Sequence, residues 1–159
     1  MNNNFNKIYT ENYTKIFYLC LGYSAGKEDI AEELTQETFI KVWEKLHTFR
    51  NLAAISTWIY RIAVNTCLTH LRKVKKNIEI HSEHLYGVEN TEQFDNMDIR
   101  IEKLHSCIGK LKEIDRMIIM LVLEELPQKE IASIIDLNNE NVRVKIHRIK
   151  GKLFKCIKS

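Results

Sequence analysis

The chain has 159 residues, of which 45% are hydrophobic and 28% charged, with a single proline and five glycines. That length holds one ordinary domain or two small ones, and the composition excludes a disordered or collagen-like chain in favour of a helix-rich globular one. No apolar run approaches the roughly 20 residues of a membrane span, and the polar start Met1–Thr10 has no signal-peptide core. A cytoplasmic protein that does not insert in a membrane is expected.

The net charge of +3 hides an uneven distribution. Residues 1–76 carry 11 basic and 7 acidic side chains, residues 77–99 carry 6 acidic and no basic ones, and residues 100–159 carry 13 basic and 8 acidic ones. Two basic blocks thus flank an acidic, weakly apolar stretch that reads as a linker. Acid-free windows run from Lys45 to Ile78 and from Asn141 to Ser159, each with seven basic side chains. Such windows suit a polyanion, although a solvated basic face would look the same. The four cysteines, Cys20, Cys67, Cys107 and Cys156, form no CxxC or Cys/His cluster. No metal site is expected, and all four are expected to be reduced thiols packed between helices.

In chain order, Phe5 to Tyr23 places apolar residues at helical spacing, and Gly22 with Ser24–Gly26 ends that helix. A second helix is expected from Lys27 to His47, burying Ile30, Leu34, Phe39, Val42, Trp43 and Leu46. Its opposite face is acidic, which also suits the positive end of a helix dipole. Thr48–Ser56 reads as a loop, and Thr57–Lys76 as a third helix. After the linker, Ile101, Leu104, Ile108 and Leu111 mark a fourth. Glu113–Glu125 forms a fifth, with Met117–Leu123 buried on most sides. Pro127 opens a short helix over Gln128–Ile135. Asn138 then caps a last helix whose stripe is Val142, Ile146, Ile149 and Leu153. A short helix, a tight turn and a longer basic helix make a helix-turn-helix pattern. Nothing reads as a strand. The expected fold is all-α, with two small helical domains at 1–76 and 100–159 joined by an acidic linker at 77–99.

Two segments carry a resemblance. Glu33-Leu-Thr-Gln36-Glu37-Thr-Phe39-Ile-Lys-Val-Trp43, followed by Phe49-Arg50 and Thr57-Trp58-Ile-Tyr60-Arg61-Ile-Ala-Val-Asn65-Thr, is similar to region 2 of the extracytoplasmic-function (ECF, group IV) sigma factors of the sigma-70 superfamily. Leu111–Leu153, with Glu130-Ile131-Ala132 and Val142-Arg-Val-Lys-Ile146-His147-Arg148, is similar to region 4 of the same family. The resemblance implies a transcription initiation factor that binds core RNA polymerase, recognises the −10 and −35 promoter elements and helps open the strands.

It also implies roles for particular residues. Asp29, Glu33, Gln36 and Glu37 match the acidic patch that docks on core polymerase. Acids spaced by three and four share one helix face and meet a basic partner together. Arg50 and Asn51 lie in the loop that holds an extruded −10 base. Trp58, Tyr60, Arg61 and Asn65 match the strand-opening segment, with Ile59 where housekeeping relatives have a second tryptophan. Arg61, Arg72 and Lys73 can neutralise phosphates. Arg143, Val144, His147 and Arg148 match the −35-reading positions, with Asn139, Asn141 and Lys145 as phosphate contacts. The resemblance further implies a helical anti-sigma factor inserted between the domains, and the acidic linker could fold back on a basic face. No catalytic constellation, metal site or cofactor motif appears, so no enzyme activity is expected. The other readings are a sigma-like decoy that sequesters an anti-sigma factor, and an ordinary helix-turn-helix regulator. The decoy would not need the retained basic residues. The regulator would not need the acidic patch or the Trp58–Asn65 segment.

Overall fold

The computed structural model describes residues 2–80 and 99–159, and among these every regular element is helical. Helix α1 spans Asn2–Tyr23, α2 Glu28–Lys45, α3 Ile55–Ile80, α4 Ile99–Gly109, α5 Glu113–Leu123, α6 Gln128–Ile135 and α7 Asn139–Lys158. A 3-10 turn at Leu46–Thr48 replaces the expected last turn of the second helix. Helix α3 starts before Thr57 and runs past Lys76, because no glycine or proline interrupts Asn77–Ile80. The rest of the acidic linker, and its suggested fold-back, lies outside the described residues.

Helices α1–α3 share one core. Ile16, Leu19 and Cys20 of α1 meet Ala31, Leu34 and Val42 of α2 and Ile59, Val64 and Cys67 of α3, all essentially without solvent exposure. Three threonines sit in this core without an orphaned hydroxyl. Thr35, Thr38 and Thr66 each donate to the carbonyl four residues back, at 2.6, 2.7 and 2.8 Å. Trp43 does not join them. It is 51% exposed, its ring set edge-to-face with that of Phe5. One helical turn separates it from Phe39, but 43 falls on the same side as the acids, not on the side of Leu34 and Val42.

The second unit is built round α5, whose run Met117–Leu121 is buried throughout. Helix α5 packs against α6 and α7 on one side and against α1 on the other. The two sequence blocks therefore close on each other over a single continuous apolar core. Two contacts fix that closure. A Cβ on Gly22 would collide with Met120 Cγ and Sδ, so glycine is what lets α1 and α5 approach. Arg116 of α5 donates to the Tyr23 carbonyl from Nε at 3.0 Å and Nη2 at 2.6 Å, and to the Leu111 carbonyl from Nη1 at 2.6 Å. A guanidinium from one block thus satisfies the last carbonyl of a helix in the other.

The helix-turn-helix has the expected parts. Pro127 precedes α6, and Asp136 ends it in the left-handed region at φ 61°. The Asn138 side chain caps α7 by accepting from the Asn141 backbone N–H at 2.8 Å. The cysteines depart from expectation. Cys107 in α4 and Cys156 in the last turn of α7 form a disulfide, with Cα atoms 5.9 Å apart. They are 49 residues apart in sequence, and only the packing of α4 on α7 brings them together. Cys20 and Cys67 are free and buried, with sulfurs 3.9 Å apart.

Candidate functional site

The loop between α2 and α3 and the first turns of α3 enclose a cleft of about 220 Å³, lined by Thr48, Phe49, Arg50, Leu52, Trp58 and Arg61 among others. Phe49 and Trp58 stand at its back with ring centroids 5.1 Å apart. Asn51 turns the loop in the left-handed region at φ 57°, a conformation asparagine tolerates. Leu52, at the loop tip, is 92% exposed. An aromatic-backed cleft with two arginines at its rim can stack one unpaired base and neutralise its phosphates. Down α3, the positions of Trp58, Arg61, Asn65 and Arg72 repeat at three, four and seven residues, so they share one face. Arg61, Asn65, Arg72 and Lys73 are exposed.

Tyr60 does not belong to this surface. It is 3% exposed, and burial, with Glu124 of the second block nearby, pushes its phenol well above the usual range. The side chain sits in the seam between the blocks, one position off the DNA-facing stripe. Arg61 also touches the seam, where its Nη2 donates to the Ser133 hydroxyl of α6.

On α2, Asp29, Glu33 and Gln36 are exposed in a row, and half-buried Glu37 pairs with Lys41 at 3.3 Å. The row continues as Ile40, 58% exposed, and Trp43. Sequence reading missed both as surface residues. The signal was present: 29, 33, 36, 40 and 43 repeat at four and three residues along one helical face. The strip is therefore acidic at its start and apolar at its end. That mixture suits a protein partner with an apolar centre and a basic rim.

On α7 the expected set divides. Arg143, Val144 and His147 are exposed on the outer face, together with Asn139, and Glu140 holds Arg143 at 2.8 Å. Lys145 is half-buried and lies 3.9 Å from Asp115 of α5. Arg148 lies with Lys145 and Lys152 along a different flank. These three line a cleft of about 320 Å³ against Leu71 and Lys75 of α3 and the start of α5. Arg148 thus faces away from the Arg143 side, opposite the end of α3. Asn141 is exposed, its backbone N–H held by the cap. Gln128, which no motif singled out, donates from Nε2 to Asn139 Oδ1 at 2.8 Å and so orients the start of the helix.

Among the described residues no helix is long and apolar enough to cross a membrane, and no cluster of three or more metal-ligating side chains occurs.

Comparison with known proteins accounts for both halves. The sigma-70 region 2 profile matches residues 8–77, and the sigma-70 region 4 profile matches residues 101–153. The chain is 30% identical over 160 residues to the ECF RNA polymerase sigma-E factor of Haemophilus influenzae, covering 92% of this chain and 83% of that protein. It is 28% identical to the ECF RNA polymerase sigma factor SigW of Bacillus subtilis, over 91% of this chain and 83% of the other. A similar solved structure is that of the sigma factor RpoE with the anti-sigma factor NepR from Bartonella quintana. It has a TM-score of 0.83 at 18% identity, and the match covers 98% of this chain and 97% of that one. CnrH, solved with the cytosolic domain of CnrY, gives a TM-score of 0.72 at 19% identity, over 99% of this chain and 90% of that one. The chain belongs to the ECF group of sigma-70 factors, the proteins that bind RNA polymerase and direct it to promoters.

Proposed function

We propose that the three surfaces divide the work of initiation. The α2 strip from Asp29 to Trp43 docks on core polymerase. The loop cleft takes an extruded base of the −10 element, with Trp58 behind it and Asn65 and the α3 basic residues along the strand. The outer face of α7, with Arg143, Val144 and His147, reads the −35 element, and Asn139, Asn141 and Lys145 contact phosphates. On this reading region 2 covers residues 1–76, region 4 covers 100–159, and the chain acts in the cytoplasm without catalysing a reaction itself. The observation that carries the reading is the aromatic-backed cleft of the α2–α3 loop, opening onto the same face of α3 as Arg61 and Asn65.

The closed packing is the form that precedes promoter binding. A compact chain of this length has a radius of gyration of about 15 Å. The two promoter elements lie about 25 base pairs apart, roughly 85 Å at 3.4 Å per pair. One closed molecule cannot reach both, so α1 and α3 must part from α5 and α6 on polymerase. A helical anti-sigma partner that occupies the parted seam would hold the factor off polymerase. The RpoE and CnrH structures, each solved with a protein partner, support this. The experiment is run-off transcription with core polymerase on genomic promoter fragments. Specific transcripts that depend on the chain are expected. Loss of transcripts without loss of −35 binding is expected for the E33K/E37K variant. Absence of transcripts with functional core polymerase on fragments the chain binds overturns the reading.

A further inference from the structure

The last turn of α7 and the length of α4 are the least anchored parts of the second unit. In α7 the final core residue is Leu153, while Phe154 is 60% and Ile157 37% exposed. In α4, Ile99 is 79% and Ile101 44% exposed, and only Cys107 and Ile108 are buried. Helix ends with so few buried contacts open locally far more often than the whole domain unfolds. The Cys107–Cys156 bond ties the last turn of α7 to the buried end of α4.

We propose that Cys107 and Cys156 form an oxidant-responsive dithiol, a modification site that ties the end of α7 to α4 when oxidised and releases it when reduced. The two sulfurs differ in access. Cys107 is 3% exposed, whereas Cys156 is partly exposed in the last turn of α7, so Cys156 is the entry point. Its thiolate attacks a low-molecular-weight disulfide, whose S–S bond breaks and whose one half leaves as thiolate. Cys107, exposed by local opening, loses its proton to solvent and attacks the Cys156 sulfur of the mixed disulfide. The second small thiolate departs. The protein loses two electrons and two protons, and the small disulfide gains both. Cys20 and Cys67 take no part, since both are fully buried in the first core with nothing to admit an oxidant. In a thiol-reducing compartment the dithiol is the ground form, and the bond records oxidising conditions.

The test uses the full chain equilibrated in glutathione buffers from fully reduced to fully oxidised, quenched by acid and alkylated. The expected product loses two hydrogens in mass, mapped to one peptide pair joining Cys107 to Cys156. Cys20 and Cys67 should become alkylated only after unfolding. Amide exchange over residues 99–109 and 154–158 should slow by about tenfold or more on oxidation, as a cross-link between two sparsely buried helix segments implies. Because Cys156 is only partly buried, C156S should fold and show the reduced pattern in both buffers. A −35 duplex should bind several-fold more tightly to the oxidised protein. This last arm alone rests on α7 as the DNA-reading helix. Thiols that stay alkylatable in fully oxidised buffer overturn the proposal. So does a bond that leaves exchange unchanged, or a C156S variant that still responds. Equal duplex binding by the two forms overturns the coupling to DNA. A chain that binds no promoter duplex in either state, with mass and exchange as expected, contradicts the role of α7 and supports the redox site.

Discussion

Arg116 makes three charge-assisted bonds to two backbone carbonyls, two to Tyr23 and one to Leu111. Burial lowers its ionisation while Glu113 supports the charge, so the guanidinium stays protonated at any working pH. Arg116→Ala should cost about 2–4 kcal/mol in denaturant unfolding, because it leaves the Tyr23 and Leu111 carbonyls unpaired. Arg116→Lys, with one head group for three bonds, should recover only part of that. Tyr23 and Tyr60 set an upper pH limit on the same seam. Burial raises both phenols, with Cys67 and Glu113 adding for Tyr23 and Glu124 for Tyr60. Their protonated forms favour the fold fully below the unfolded tyrosine pKa of about 10, and that stability is lost as pH rises above it. Unfolding followed from pH 8 to 11 should show the chain weakening only in the upper part of that range. In Y60F the loss should be smaller. Of these residues only Tyr60 was singled out in the sequence, for DNA, and in the closed packing it is buried in the seam. Its neighbours Trp58 and Arg61 do face the cleft, and one step along a helix turns a side chain by about 100°. Whether the step ends in solvent or in a seam depends on a second domain that local sequence does not show.

At the scale of elements, the helices were legible because each carries a 3.6-residue stripe, and where a stop signal is missing, as at the end of α3, the bound was misplaced. Gln128–Ile135 fell where Pro127 and the Asp136–Asn138 turn put it. The faces were harder. Trp43 was read as part of the buried face with Phe39 and Val42, yet it closes the acidic strip. The two sides of α7 were read as one because its motif is contiguous. The division predicts different phenotypes. Arg143→Ala should cost about 1–3 kcal/mol and relax preference at one base pair of the −35 element. Arg148→Ala and Lys145→Ala should weaken all duplexes alike and flatten the salt dependence. Competition binding with a doped −35 library separates the two outcomes. Likewise Trp43→Ala should weaken core polymerase binding with little change in stability, since the side chain is half in solvent. A Trp43→Ala protein that unfolds early would return that residue to the core.

At the scale of the molecule, the two blocks and the order of their regions were legible from motif and charge, but their closure was not. It rests on Gly22 and on an arginine that reaches across 93 residues of sequence. Gly22→Leu should drive Met120 from its place and part the blocks while each keeps its helices. Small-angle scattering should then show a larger radius of gyration at unchanged helical circular dichroism. The two tryptophans have a further consequence. Trp43 lies on the strip assigned to polymerase and Trp58 behind the cleft assigned to DNA, and the chain has no third. Each indole is therefore a built-in optical reporter for one surface. Replacing either by phenylalanine leaves a single emitter, so quenching or a blue shift in stopped flow would time polymerase docking and base capture separately, with no attached dye.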